Sequence, residues 1–378
     1  MTVGLNHPLT GNLSFAGGQI NGVGELAARH INEDGGIESL GGAEIEVISA
    51  DNEGVQEQGG QAEQQLIDEG AIACMGCYSS PVSLAAIQTA ERERVPHVID
   101  VSISPAILQD NDFNFGYRSQ GTPLTFTRDF ARYGPSLARG AGKQWETMTI
   151  TSLDNLYGDS VKDGIKQFMP DEGVEIIEEN EYQFGAESLS SQATAVERAD
   201  PDAVFFVGYD PGAIRFCNAL QDIDYEPNLL VGSGTPMISS TSVFNEVGEF
   251  INGAIGNNAD FNYNKDMTET IFNDFEGMHG DPLEIATAGQ AYVAMEVIRQ
   301  ALEESGTTDT VELNDAIQNV RVESEEHPMV MDAVEFRDDG ELAGLDDPEY
   351  VSTAFMQVQD LETTHLAPER AKEGDIQF

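Results

Sequence analysis

Basic residues are the scarcest component of this 378-residue chain: five lysines and thirteen arginines stand against 67 acidic residues, for a formal net charge of −49. No basic stripe exists that would neutralise phosphates, which argues against nucleic acid as a partner. The acidic residues are scattered through every segment, whereas an acidic tail or cation-binding run would be clustered. Self-repulsion of this size is tolerable where concentrated salt cuts the screening length to roughly 3 Å at 1 M. The composition is therefore that expected of a halophilic surface. Apolar runs also fall short of the roughly 18 residues needed to span a membrane. Cysteine is limited to Cys74, Cys77 and Cys217. The first two have the C-x-x-C spacing of a redox pair, but lie within and at the end of an apolar strand, not at a helix start where a thiolate is stabilised. They are expected as small buried side chains. No second cysteine pair or histidine cluster completes a zinc site, and neither a metal nor a cofactor is expected. The single tryptophan, Trp145, precedes a strand and is expected in packing.

The stretch Gly70–Pro105 carries the clearest pattern. An apolar run, Ala71 to Met75, ends in Gly-Cys-Tyr-Ser-Ser. An amphipathic segment from Pro81 to Arg92 follows, then a second apolar run, Val95 to Val101, opening onto Ser102-Ile103-Ser104-Pro105. The alternation of 180° and 100° periodicities is that of a βαβ crossover. In a parallel sheet both hydroxyl-bearing loops emerge at the carboxyl edge, where α/β folds hold ligands. Ser79 and Ser80 either cap the helix that Pro81 opens or help receive an oxyanion or carbonyl oxygen at its N-terminus; Ser80 is able to do both.

Strands and helices alternate from Thr2 to Pro105, with a glycine turn after Leu9, a helix over Asn21–Asn32 and a strand over Glu44–Ala50. The pattern restarts after Arg118: a helix over Thr125–Leu137 that Tyr133-Gly134-Pro135 kinks or ends, then strands at Thr147–Thr151, Val174–Ile177, Ala203–Val207 and Leu229–Val231. The rest adds a short strand, Ile255–Asp260, three helices without a sheet, and strands over Val330–Phe336 and Ser352–Gln359. The expected fold class is α/β, with two doubly wound parallel-sheet lobes. Lobe I is assigned 1–119 and 257–330, lobe II 120–256 and 331–378. Three crossings, near Arg118–Gly121, Ile255–Asn257 and Met329–Asp332, then form a hinge.

With that organisation, six stretches in order carry a resemblance: Leu9-Thr10-Gly11, Ala27 to Ile37, Gly76-Cys77-Tyr78-Ser79-Ser80, Asp154-Asn155-Leu156-Tyr157-Gly158, Val207-Gly208-Tyr209-Asp210-Pro211 and Val334 to Gln359. The chain resembles the type I periplasmic binding proteins, in particular the branched-chain amino-acid group and its amide- and urea-binding relatives. The resemblance implies a solute receptor of an ABC importer, working with permease subunits and closing on a small polar molecule in the inter-lobe cleft without chemistry. It implies that Ser80 binds the solute, that backbone groups of Val101, Ser102, Ile103 and Ser104 help hold a carboxylate, and that Tyr157 and Tyr209 come from the other lobe. Ser79 belongs to the same loop. Phe15 is a candidate to cover the ligand, and Tyr78 is either a cleft wall or a core aromatic. His7 either lines the cleft or is a turn histidine.

Two departures from the amino-acid branch bear on the solute. Ile103 stands where that branch usually has threonine, and Gly234 where it has the acidic residue that neutralises an α-ammonium. A buried ammonium would then lack its partner, at a cost of several kcal/mol, unless Asp210 or Asp154 compensates. An amide, a carboxylic acid or another solute without an amino group is therefore open alongside an amino acid. No Ser-His-Asp or Glu-Glu constellation is present, so no enzyme is expected. The resemblance further implies a monomer at the cell surface, lipid-anchored through a leader that this sequence does not include. The alternative is a ligand-sensing regulator of the amide-sensor type.

Overall fold

Runs of β-branched and aromatic residues form the strands, and amphipathic stretches of three to five turns pack across them. The computed structural model describes residues 1–378. Its first third contains β1 (Thr2–His7), α1 (Ser14–Glu33), β2 (Glu46–Asp51), α2 (Gln56–Asp68), β3 (Ala71–Gly76), α3 (Ser80–Glu93), β4 (His97–Ile99) and β5 (Gly116–Arg118). There follow α4 (Pro123–Gly140), β6 (Thr147–Leu153), α5 (Leu156–Phe168), β7 (Glu175–Tyr182), α6 (Ser190–Ala199), β8 (Ala203–Val207), α7 (Asp210–Asp222), β9 (Leu230–Ser233), α8 (Thr241–Val247) and β10 (Ile255–Asn258). The chain ends with α9 (Asp266–His279), α10 (Gly289–Ser305), α11 (Thr310–Ile317), β11 (Ala354–Gln359) and β12 (Glu362–Ala367). Two units result. Unit 1 holds residues 1–121, 261–283 and 287–350; unit 2 holds 122–260, 284–286 and 351–378.

Unit 1 is built on a parallel sheet in the order β2-β1-β3-β4-β5. Unit 2 repeats that winding as β7-β6-β8-β9-β10 and adds antiparallel β11 and β12 beyond β10. β8, Ala-Val-Phe-Phe-Val, is buried along its whole length, as a central parallel strand covered on both faces must be. β7 alternates exposed and half-buried residues because it is the edge. Trp145 is fully buried in unit 2, edge-on to Phe130, which also meets Phe205 edge-on. It is a packing residue, as its place before a strand suggests.

Several local expectations change. The first helix begins at Ser14 rather than Asn21, so Phe15–Gly18 is helical. A Cβ on Gly17 would lie 2.1 Å from the Pro8 carbonyl oxygen, so glycine at that position admits a close backbone approach within the helix. α4 runs unbroken through Pro135; the residue before it is Gly134, which lacks the Cβ that a following proline would crowd. Residues 330–336 form no strand, and 331–350 belong to unit 1, not lobe II. Val334 exchanges backbone hydrogen bonds with Val322, and the Arg118 N–H donates to Gly340 O at 2.9 Å, which ties this segment beside β5. The antiparallel pair is instead β11 with β12, after Tyr350. Glu284–Ala286 join unit 2 through the Ser240–Ile285 bridge.

Asp129, in α4, is buried beside Arg128 and Thr353. Burial outweighs these partners and pushes its carboxyl up to about 6. Its folded pKa then exceeds the unfolded one, so stability falls as pH rises between the two and levels off above the higher. Asp129→Asn fixes the uncharged state. Its stability relative to the wild type should rise by about 1–3 kcal/mol between about pH 4 and about pH 7.5 in urea unfolding. A pH-independent difference would contradict this.

Candidate functional site

The winding order places a crevice where the connections on either side leave for opposite faces of the sheet. In unit 1 that point lies beyond the ends of β1 and β3; in unit 2, beyond β6 and β8. The loops that the sequence singles out fall at these two edges.

At the unit 1 edge, Ser79 occupies the N-cap position of α3 but its side chain does not cap the helix. Proline at the second helical position removes one donor, and the N–H groups of Ser80 and Val82 bond to nothing in the protein. Ser80 Oγ accepts from the Ser104 N–H at 3.4 Å, joining the two serine loops. Ser104 is 1% exposed and its own hydroxyl has no partner. Ser102 Oγ is used internally, on Ser83 Oγ, and Ser83 also donates to Ser79 O. Val101 and Ile103 are buried. Tyr78 is buried too, with φ at +71°. Phe15, in the first turn of α1, is 43% exposed.

Beneath this edge lies a polar layer that sequence reasoning did not anticipate. His7 is fully buried, its Nε2–H donating to Asp100 Oδ2 at 2.7 Å, while Asp100 Oδ1 accepts from the Val101 N–H at 2.6 Å. His7 thus neither lines an opening nor sits in a turn; it props the second loop. One layer deeper, Glu63 of α2 accepts from His97 Nδ1 and Asn6 Nδ2, both at 2.9 Å. Burial acts to lower the His97 pKa, but the Glu63 carboxylate outweighs it and the net shift is upward. Histidines and asparagines inside apolar runs are the only trace of this network in the sequence. Cys74 and Cys77 are buried free thiols, their pKa values pushed well up by burial and then by Glu63. A thiolate is disfavoured there.

At the unit 2 edge, Asn155 caps α5, its Oδ1 accepting from the N–H groups of Tyr157 and Gly158 at 3.0 Å each. A Cβ on Gly158 would lie 1.9 Å from Leu153 O, so this turn needs glycine. The cap aims Tyr157 at the neighbouring loops, where its hydroxyl donates to Gly234 O at 2.5 Å. Burial, with Tyr209 adding to it, holds that phenol well above its usual pKa. The Tyr157 and Tyr209 rings lie 5.2 Å apart, tilted by 32°, and Phe184 meets Tyr209 edge-on at 6.1 Å. Phe184, 43% exposed, was not among the sequence candidates because it lies in a polar loop after an edge strand. Gly234 has φ of +60° and donates its N–H to Asn257 O at 2.8 Å. Asp210 is buried and accepts from Ser240 Oγ at 2.7 Å. Asp154 is exposed and accepts from Gln183.

The structure thus gathers Ser79, Ser80, Tyr78 and Val101–Ser104 at one edge of unit 1, and Tyr157, Tyr209 and Gly234 at one edge of unit 2. Nowhere do three His, Cys, Asp or Glu side chains converge to share a metal ion. A cavity of about 720 Å³ opens elsewhere in unit 1, by His30, Gly36, Tyr292 and Glu303. Two of its carboxylates are engaged: Glu303 accepts from the N–H groups of Glu38 and Ser39, and Glu296 pairs with Arg299.

An uncompensated buried hydroxyl differs from a bonded one in the sign of its removal. Ser104→Ala should leave stability unchanged or raise it by about 1 kcal/mol, whereas Ser83→Ala should cost about 1 kcal/mol. Equilibrium unfolding of the two variants checks this. Equal losses would mean that Ser104 has a partner.

Residues 1–344 match the family model described as periplasmic binding protein. The Leu/Ile/Val-binding protein BraC3 of Rhizobium johnstonii is 23% identical over 342 residues, covering 90% of this chain and 89% of that one. Among solved structures, the leucine-binding protein LivK of Thermotoga maritima aligns with a TM-score of 0.79 at 17% identity, over 97% of this chain and 98% of that one. A solute-binding protein of an ABC transporter from Rhodopseudomonas palustris, in complex with 3,4-dihydroxybenzoic acid, has the same TM-score at 18% identity, over 96% and 94%. At these identities the structural likeness speaks for the fold.

Proposed function

Since the chain belongs to the periplasmic binding protein family, we propose that it is the extracytoplasmic solute receptor of an ABC importer, and that its solute is a carboxylic acid or amide without an amino group. No helix is long and apolar enough to cross a membrane. The observation that carries the reading is the pairing of an unbonded, buried Ser104 hydroxyl with the open N–H groups of Ser80 and Val82. Donors held dry with nothing to bind favour an anionic or carbonyl oxygen. At the unit 2 edge, Tyr157 and Tyr209, with Phe184 beside them, offer an apolar wall of the kind that covers the body of a small organic solute. Glycine at position 234 supplies no carboxylate to pair an ammonium.

The receptor is proposed to act as a lipid-anchored monomer of a halophile, binding without turnover. The anchor and the salt habit rest on the family and the charge of −49.

Mass spectrometry of protein purified in high salt should recover an unaltered carboxylic acid or amide. Tyr209→Ala should then weaken its binding by more than about tenfold in calorimetry, with unfolding little changed. An α-amino acid as the retained molecule, or an unchanged affinity, would overturn the reading. Screening predicts a second outcome: the melting temperature rises steadily between roughly 0.1 and 2 M KCl. A flat profile would remove the halophilic part.

A further inference from the structure

Arg118 is the largest charged side chain buried without any exposure. Its Nε lies 3.0 Å from Oε2 of Glu341, also fully buried, as an ion pair rather than a well-aligned hydrogen bond. Pairs of this kind add little stability once desolvation is counted, so what the pair orients matters more. Arg118 Nη1 donates to Ser102 O at 2.9 Å and Nη2 to Ser104 O at 2.7 Å. Gln120, two residues on, donates through Nε2 to Val101 O. Three carbonyls of the second serine loop are thus taken from behind.

In a trans peptide the C=O and the following N–H point in opposite directions, and these peptides are trans. Fixing Val101 O on Gln120 therefore turns the Ser102 N–H away from Gln120. Fixing Ser102 O on Arg118 turns the Ile103 N–H away from the guanidinium. Neither N–H bonds to any group of the protein. We infer that Arg118, set by Glu341, and Gln120 are positioning residues that aim the Ser102 and Ile103 amides at the solute's carboxylate. The inference rests on the reading that a carboxylate occupies these loops.

Only arginine spans two carbonyls with a rigid fork while keeping Nε for a carboxylate. Glu341 reaches it through the turn Arg337–Glu341, whose Gly340 has φ of +77° and would bring a Cβ within 2.1 Å of Gly116 O. The Arg118 N–H donates to Gly340 O, so one strand end fixes both the turn and the guanidinium. The loop's geometry is in this way set by residues more than 200 positions apart in sequence.

The test is an amide NMR titration of the full chain with sodium acetate, the minimal carboxylate. In the wild type, the Ser102 and Ile103 amide protons should move downfield together with those of Ser80 and Val82. Gln120→Met should weaken the Ser102 response about tenfold or more and Arg118→Lys the Ile103 response, each more than the other. A general loss of stability would not sort the two amides in this way, and Gln120→Met carries the test if Arg118→Lys fails to fold. Shifts at Ser80 and Val82 alone, or variants that titrate like the wild type, would overturn the inference and leave the receptor reading intact. No acetate-dependent shift at any of these amides would overturn both.

Discussion

A parallel strand sends every following loop to one edge of its sheet, and that constraint organises this protein. With the order β2-β1-β3-β4-β5, the turn after β1 and the turn after β3 part company, and a gap opens between them. The gap is lined by backbone that no longer has a neighbouring strand to bond. In unit 1 its donors are the first turn of α3 and the loop after β4. They keep their geometry because charged and amide side chains (His7, Asp100, Arg118 and Gln120) take up the surrounding carbonyls and N–H groups. Unit 2 repeats the winding but fills the same position with aromatic rings.

This difference between the two edges is chemical. Hydroxyls and open amides recognise oxygen, whereas Tyr157, Tyr209 and Phe184 recognise an apolar body. Position 234 is glycine, at φ of +60°, so no side-chain carboxylate stands there to hold an ammonium.

Fold class and both serine loops were legible in the sequence because strand and helix periodicities are local and because parallel connectivity forces the loops together. The family followed from short motifs in order. The deeper layer was not legible. Glu63 reads as one more acid in a chain with 67 acidic residues, yet it is buried between Asn6 and His97. Composition masks a buried acid when the surface is uniformly acidic. Pro135 misled through its strong local meaning, since α4 runs through it unbroken. Residues 331–350 read as the start of the second lobe, but Arg118 and Val322 bind them to the first unit through contacts far apart in sequence.

The central claim is that the two serine loops of unit 1 receive an oxygen of the solute through Ser104 and the open N–H groups of α3. Hydrogen–deuterium exchange of the full chain, before and after adding the compound recovered from it, tests this most directly. Slowed exchange at residues 79–83 and 101–104 is the predicted result. Protection appearing instead around Gly35–Gly42 and α10, with none in the serine loops, would contradict it.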